Sequence, residues 1–269
     1  MEIAGYFASA LIGISLGLIG GGGSILTVPV LVYLFSISPL LATSYSLFIV
    51  GSTSLIGAFN NFRRGYVNFR IALLFGISSI LTVFLTRRFI VHAIPEEIGK
   101  IGNFVVTEAL LTMVLFAILM LAASFSMIRN GSKSGSMQEA EKDSKGSLSK
   151  LFLYGIGVGF VTGLLGAGGG FLLIPALVLL MKLPMKEAVG TSLLIIAMNS
   201  LFGFAVDLAH FDIDWHFLIV ITLIAAAGIF MGGAMARRIP GEKLKKAFGW
   251  FVLIMGIYIM VKELLVPNL

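Results

Sequence analysis

The sequence predicts an all-α integral membrane protein of eight hydrophobic segments. They form two homologous four-segment repeats, inverted relative to each other, with the first segment of each repeat broken by glycines. Three observations predict this. Of the 269 residues, 58% are hydrophobic and 12% charged, with a mean hydropathy of +1.04, which is about half the charge of a soluble domain. Apolar stretches recur at the length of a bilayer span, about 20 residues. And the two halves of the chain align without a gap at a constant offset of 146.

The apolar stretches run 4–35, 41–62, 69–86, 101–128, 151–181, 187–208, 215–236 and 245–266. Six of them suit one crossing each. The first and fifth exceed 30 residues and carry a glycine cluster and a proline in the middle. Glycine- and proline-interrupted segments in matching positions of two halves point to discontinuous or re-entrant helices around a transport site. Residues 129–150 (RNGSKSGSMQEAEKDSKGSLSK) have almost no core-forming side chains and read as a flexible linker. The chain thus divides into an N-terminal transmembrane repeat (1–128), the linker (129–150) and a C-terminal transmembrane repeat (151–269). Met1-Glu2-Ile3 has no basic run ahead of the first segment, which is therefore expected to stay in the mature protein.

GISLGLIGGGGSILTVP (13–29) lies over GFVTGLLGAGGGFLLIP (159–175), and 18 of the 45 positions from Gly13 to Gly57 equal their partners from Gly159 to Gly203. Apolar bias produces some matches. It does not set Gly20/Gly166, Gly22/Gly168, Gly23/Gly169 and Pro29/Pro175 in one ungapped register, so the repeat is genuine. Ala42/Ala188, Ser46/Ser192 and Ser54/Ser200 continue it.

Loop charges predict how the repeats face. If every segment crosses once, basic residues fall nine and ten on the two sides, against the usual cytoplasmic excess of Lys and Arg. If segments 4–35 and 151–181 are hairpins, fifteen fall on the side of the 63–70 loop, the linker, Lys182, Lys186 and 237–246. Only Arg87, Arg88, Lys100 and Lys262 remain opposite. Inverted repeats with a cytoplasmic linker follow. Arg87-Arg88 and Arg237-Arg238 read as topology anchors. Asp207, His210, Asp212, Asp214 and His216 read as interfacial, and Trp215 and Trp250 as interfacial belt residues.

Gly20, Gly21, Gly22, Gly23 and Ser24, with Gly166, Gly168, Gly169 and Gly170, are the candidate substrate contacts. Isolated glycines such as Gly13, Gly17, Gly57, Gly159, Gly163 and Gly203 suit close helix packing. A run of four costs about 1 kcal/mol per residue in a helix, more than packing requires, so the clusters are expected to unwind it. The freed N–H groups find no partner in lipid, and a broken helix presents a positive end suited to an anion. A second constellation adds neutral donors: Ser44 and Ser46 in one half, Thr191, Ser192 and Asn199 in the other. Glu108, within an apolar segment, is a candidate proton carrier.

Other chemistries find no support in the sequence. Absence of cysteine removes disulfides and thiolate sites. The net charge of +6 is spread over short loops rather than clustered, which argues against nucleic acid. The glycines lack the following Lys-Ser/Thr or ribose-binding acid of a nucleotide loop. No hydrolase or metal-ligand motif is present, so neither enzyme activity nor a metal or cofactor is expected.

GLIGGGGSILTVPVL (17–31) and GLLGAGGGFLLIPALV (163–178), with AVGTSL (188–193), resemble the TauE/SafE sulfite exporter family over about 5–265, linker excepted. The first half departs from the pattern, with Ala42-Thr43-Ser44-Tyr45-Ser46-Leu47 in place of A-x-G-T-S-L. The resemblance implies a permease of a prokaryotic cytoplasmic membrane whose partners are the lipid bilayer and a small sulfur-containing anion. Sulfite or an organosulfonate such as sulfoacetate, exported by alternating access, is the expected cargo. An importer of thiosulfate or sulfate on the same fold, and a non-transporting membrane scaffold, are the competing readings. Oligomeric state stays open, a homo-oligomer included.

Overall fold

The computed structural model describes residues 2–95, 97–101, 104–129, 144–235 and 241–265. Ten α-helices result: α1 (Glu2–Ile19), α2 (Thr27–Phe35), α3 (Pro39–Phe62), α4 (Phe69–Leu85), α5 (Glu108–Arg129), α6 (Ser144–Leu165), α7 (Gly170–Met181), α8 (Met185–Asp207), α9 (Trp215–Met235) and α10 (Gly241–Leu265). Among the described residues, five stretches are long and apolar enough to cross a membrane: Pro39–Phe62, Phe69–Ile90, Glu108–Phe125, Met185–Asp207 and Trp215–Met235. At 1.5 Å per residue, the 24 residues of α3 reach about 36 Å, more than a hydrocarbon core of about 30 Å. Leu73, Leu74, Ile77, Leu81 and Phe84 form an exposed apolar stripe on α4, a face that suits lipid rather than water.

Local chemistry sets the helix ends. Asn68 and Asp214 cap α4 and α9 by accepting from the Ile71 and Phe217 N–H groups, at 3.1 and 3.0 Å. Pro39 occupies the first turn of α3, where its missing N–H costs nothing. Ser36 and Lys182 end α2 and α7 in the left-handed conformation, at φ 56° and 53°.

Contacts divide the chain into two compact units. The first comprises 1–91 and 142–238, the second 92–141 and 239–269. In the first, Gly51 packs on Leu201, Gly57 on Leu193 and Gly203 on Leu47, so α3 and α8 run antiparallel. Gly13 and Gly17 seat α1 against the backbone of α9 at Ala225 and Ile229, in parallel. Gly159 seats α6 against Ser79 of α4 and Gly163 against Thr86 just past its end, also in parallel. The isolated glycines thus serve close packing.

These contacts recur at the offset of the sequence repeat. Gly57 meets Leu193 and Ile229, while Gly203 meets Leu47 and Val83. The Asp214 N–H donates to the Tyr45 hydroxyl at 2.8 Å, and the Asn68 N–H to Thr191 at 3.0 Å. Each pair maps onto the other when 146 is added to one residue and taken from its partner. Chain direction follows too. Gly5 lies against Phe35, and Gly23 against Ser15 and Leu16, so α1 and α2 form a hairpin that enters and leaves at one end. Lys186 stands over the Tyr66 ring at 5.7 Å, which sets the 63–70 loop and the start of α8 at a common end.

The second unit holds α5 and α10, antiparallel, with Gly249 on Met127 and Gly256 on Met120. A two-stranded hairpin, β1 (Glu97–Ile101) and β2 (Phe104–Thr107), precedes α5. The apolar stretch expected to begin at 101 therefore becomes helical only at Glu108, because Phe104–Thr107 is drawn into strand pairing. At the linker, α6 begins at Ser144, inside the stretch read as flexible. Residues 130–143 and Arg237-Arg238 lie outside the described residues.

Candidate functional site

Both glycine clusters break the helix. Gly20 adopts φ 73°, ψ −132°, a region closed to L side chains, and a 3₁₀ turn over Gly21–Leu26 follows. In the second half, Gly166, Gly168 and Gly169 take φ of 65–66°, and α7 starts from the left-handed Gly169.

The two breaks touch. Gly21 lies directly against the Cα of Gly170, and neither position has room for a Cβ. Gly21 and Gly168 both face Ile196, while Gly168 also faces Val50. Val50 and Ile196 stand halfway along α3 and α8, so the breaks meet at the middle of the two central helices.

The hydroxyl and amide candidates separate into three groups. Some are satisfied locally: Ser24 donates to the Gly21 carbonyl at 2.7 Å and Ser192 to the Val189 carbonyl at 2.9 Å. This back-bonding is common for buried helical hydroxyls. Others hold the scaffold. Ser46 donates to the Gly166 carbonyl at 2.8 Å, tying α3 to the second break, and Thr191 accepts from the Asn68 N–H. The last group is buried without a hydrogen-bond partner among the described residues: the hydroxyls of Ser44, Ser54, Ser200, Thr27 and Thr162, and the Asn199 amide nitrogen. Asn199 is oriented by Ser79, whose hydroxyl donates to its Oδ1 at 2.8 Å, so its NH₂ is the free end.

Ser200 faces Gly168, and Thr162 faces Gly169, so part of the unpaired set lines the second break. Gly20 packs on Val189 and Ile174, Gly23 on α1, and Gly22 lies within the 3₁₀ turn. Glu108 belongs to the other unit, half-buried in the first turn of α5. Among the described residues no His, Cys, Asp or Glu cluster has metal-ligand geometry.

One sequence expectation is overturned: Arg87 is no surface anchor, and Asp207, the last residue of α8, is buried against it. Both side chains are fully buried and form an ion pair, Arg87 Nη1 to Asp207 Oδ2 at 2.6 Å, with Nη2 donating to Thr43 at 3.0 Å. The physical reason is that the span of α4 continues through a π-turn at Thr86–Ile90, which carries Arg87 inside the protein instead of past its end. The apolar Phe89-Ile90-Val91 after the arginines was the available signal. The neighbouring Arg88 does stay exposed, against the exposed His210 at 3.1 Å.

The model of the family described as sulfite exporter TauE/SafE matches residues 6–259. The chain belongs to the TauE/SafE sulfite exporter family. It is a multi-pass membrane protein of a transporter family. Relatives named probable membrane transporter proteins span nearly their whole length with it. One from Xylella fastidiosa is 28% identical over 256 residues, covering 94% of this chain and 92% of its own. One from Bacillus subtilis is 25% identical over 252 residues (89% and 90%), and one from Methanocaldococcus jannaschii 24% over 267 (93% and 92%). No solved structure matches the chain.

Proposed function

We propose that this TauE/SafE member is a secondary permease that exports sulfite or an organosulfonate such as sulfoacetate. It works by alternating access around the two glycine breaks. The observation that carries the reading is their meeting at mid-length of α3 and α8, beside the unpaired hydroxyls of Ser200 and Thr162. A buried polar group without a partner costs about 1–3 kcal/mol. An oxyanion takes hydrogen bonds from such donors and from freed backbone N–H groups at helix ends. Of the candidate contacts, Gly168, Gly169, Gly21 and Gly170 have the strongest geometric support at the breaks; Asn199 contributes an unpaired amide on α8, and Ser192 and Ser24 have the weakest support.

Inverted repeats are part of the proposal. The equivalent helices α3 and α8 run antiparallel, and Lys186 and Tyr66 share one end, as the hairpin arrangement requires. In that arrangement the basic 63–70 loop and the linker are cytoplasmic. Relatives from bacteria and an archaeon support a prokaryotic cytoplasmic membrane. Glu108 is retained as the candidate proton-coupling group.

Flux of sulfite and sulfoacetate in proteoliposomes tests the reading. Gly168→Leu, at a positive φ and against Val50 and Ile196, is expected to abolish flux in a protein that still folds. Unchanged flux would remove the breaks from the site. Uptake of thiosulfate or sulfate without sulfite or sulfoacetate export would replace the exporter by an importer.

A further inference from the structure

The Arg87–Asp207 pair has no counterpart in the other half of the repeat. At the equivalent positions stand Gly233, Asn61 and, for Thr43, Val189, all uncharged. Helices there pack through equivalent contacts without an ion pair, since Gly57 and Gly203 make matching contacts on the two sides. Packing therefore does not demand the charges. Replacing a buried ion pair by apolar residues of similar size is often neutral or stabilising, so stability alone is weak grounds for the charges, and ionisable groups within membrane spans mark ligand and ion pathways.

The pair also adjoins a glycine break. Thr43, which accepts from Arg87, lies with its backbone against Gly166, and Gly163 packs on Thr86. Its partner, Asp207, presents a carboxylate, and a guanidinium fork binds carboxylate and sulfur or phosphorus oxyanions through the same planar donors. Resting on the anion-permease reading above, we infer that Arg87 is a substrate-recognising cation. Asp207 is its resting partner, displaced when an oxyanion occupies the second glycine break. Arg87 then supplies the charge compensation that neutral hydroxyls and amides cannot, and Asp207 reclaims it on release.

The experiment measures melting temperature against sulfite, sulfate and sulfoacetate, with the neutral dimethyl sulfone as control, together with sulfite flux in proteoliposomes. Asp207→Asn leaves Arg87 without its carboxylate, so it should melt lower than wild type but be rescued by the anions. Its anion-induced rise should exceed that of wild type at least twofold, and dimethyl sulfone should do nothing. The neutral pair Arg87→Gln with Asp207→Asn leaves no lone charge to prevent folding, and should lose anion affinity at least tenfold together with flux. Exchange of the pair, Arg87→Asp with Asp207→Arg, should restore stability but not flux.

Wild-type anion affinity and flux in the neutral pair, or flux in the exchanged pair, would reduce the charges to structure and overturn the inference. If Asp207→Asn does not fold, the neutral pair decides alone. A wild-type protein without any anion response removes the permease reading and this inference together. A responsive wild type with an equally responsive neutral pair removes only the inference.

Discussion

Gly170→Ala tests the meeting of the breaks most directly. Gly170 has no positive φ, so alanine carries no backbone strain there and gains up to about 1 kcal/mol of helix propensity. The contact opposes that gain. A methyl group would stand 2.6 Å from the Gly21 carbonyl carbon and nearer still to its Cα, where carbon atoms prefer about 3.5–4.0 Å. One break must withdraw by about 1 Å, and what it meets is backbone rather than a side chain that can swing aside. Overpacking costs about 1–3 kcal/mol, and the rigidity of the obstacle favours the upper part of that range. The net expectation is a loss of about 1–2 kcal/mol after propensity is counted, a fall in melting temperature of about 2–8 °C, and slowed anion flux. Gly157→Ala is the control. It sits within α6 with nothing inside 4 Å of the added group, and its melting temperature should hold or rise. Gly170→Ala melting at or above wild type in the same detergent would show that the breaks do not touch, and the site built on their contact would fall with it.

Other expectations follow from the same geometry. Ser36→Gly and Lys182→Gly relieve left-handed non-glycine caps at equivalent positions, and each should raise stability by up to about 1 kcal/mol in thermal melts; a loss in either contradicts the cap geometry. Tyr45→Phe and Thr191→Val delete the acceptors of equivalent N–H groups and should cost about 1–3 kcal/mol each. Costs differing by more than that range would deny the equivalence. Ser79→Ala leaves the Asn199 carbonyl without its donor, so sulfite flux should need a higher half-saturating concentration while melting falls by no more than the loss of one buried hydrogen bond, about 1–3 kcal/mol.

The sequence by itself determined the solvent and the helical membrane class, and it carries the duplication. Composition and segment length suffice for the first two, because lipid excludes unsatisfied backbone and charge over a fixed thickness. Gly20–Gly23 and Gly166–Gly170 were legible as breaks, because consecutive glycines forfeit helix stability wherever they stand. Loop charges gave the hairpin arrangement, to which the α3–α8 direction now lends support. Tertiary structure alone decided which hydroxyls are free. Ser192 and Ser200 look alike in the sequence, yet one is spent on its own helix and the other faces Gly168. It alone decided that Arg87 lies inside while Arg88 stays outside, since neighbouring residues on a helical turn point in different directions and only packing says which way is in. And it alone brought Gly21 onto Gly170, because a contact between segments far apart in the chain has no signature in either segment.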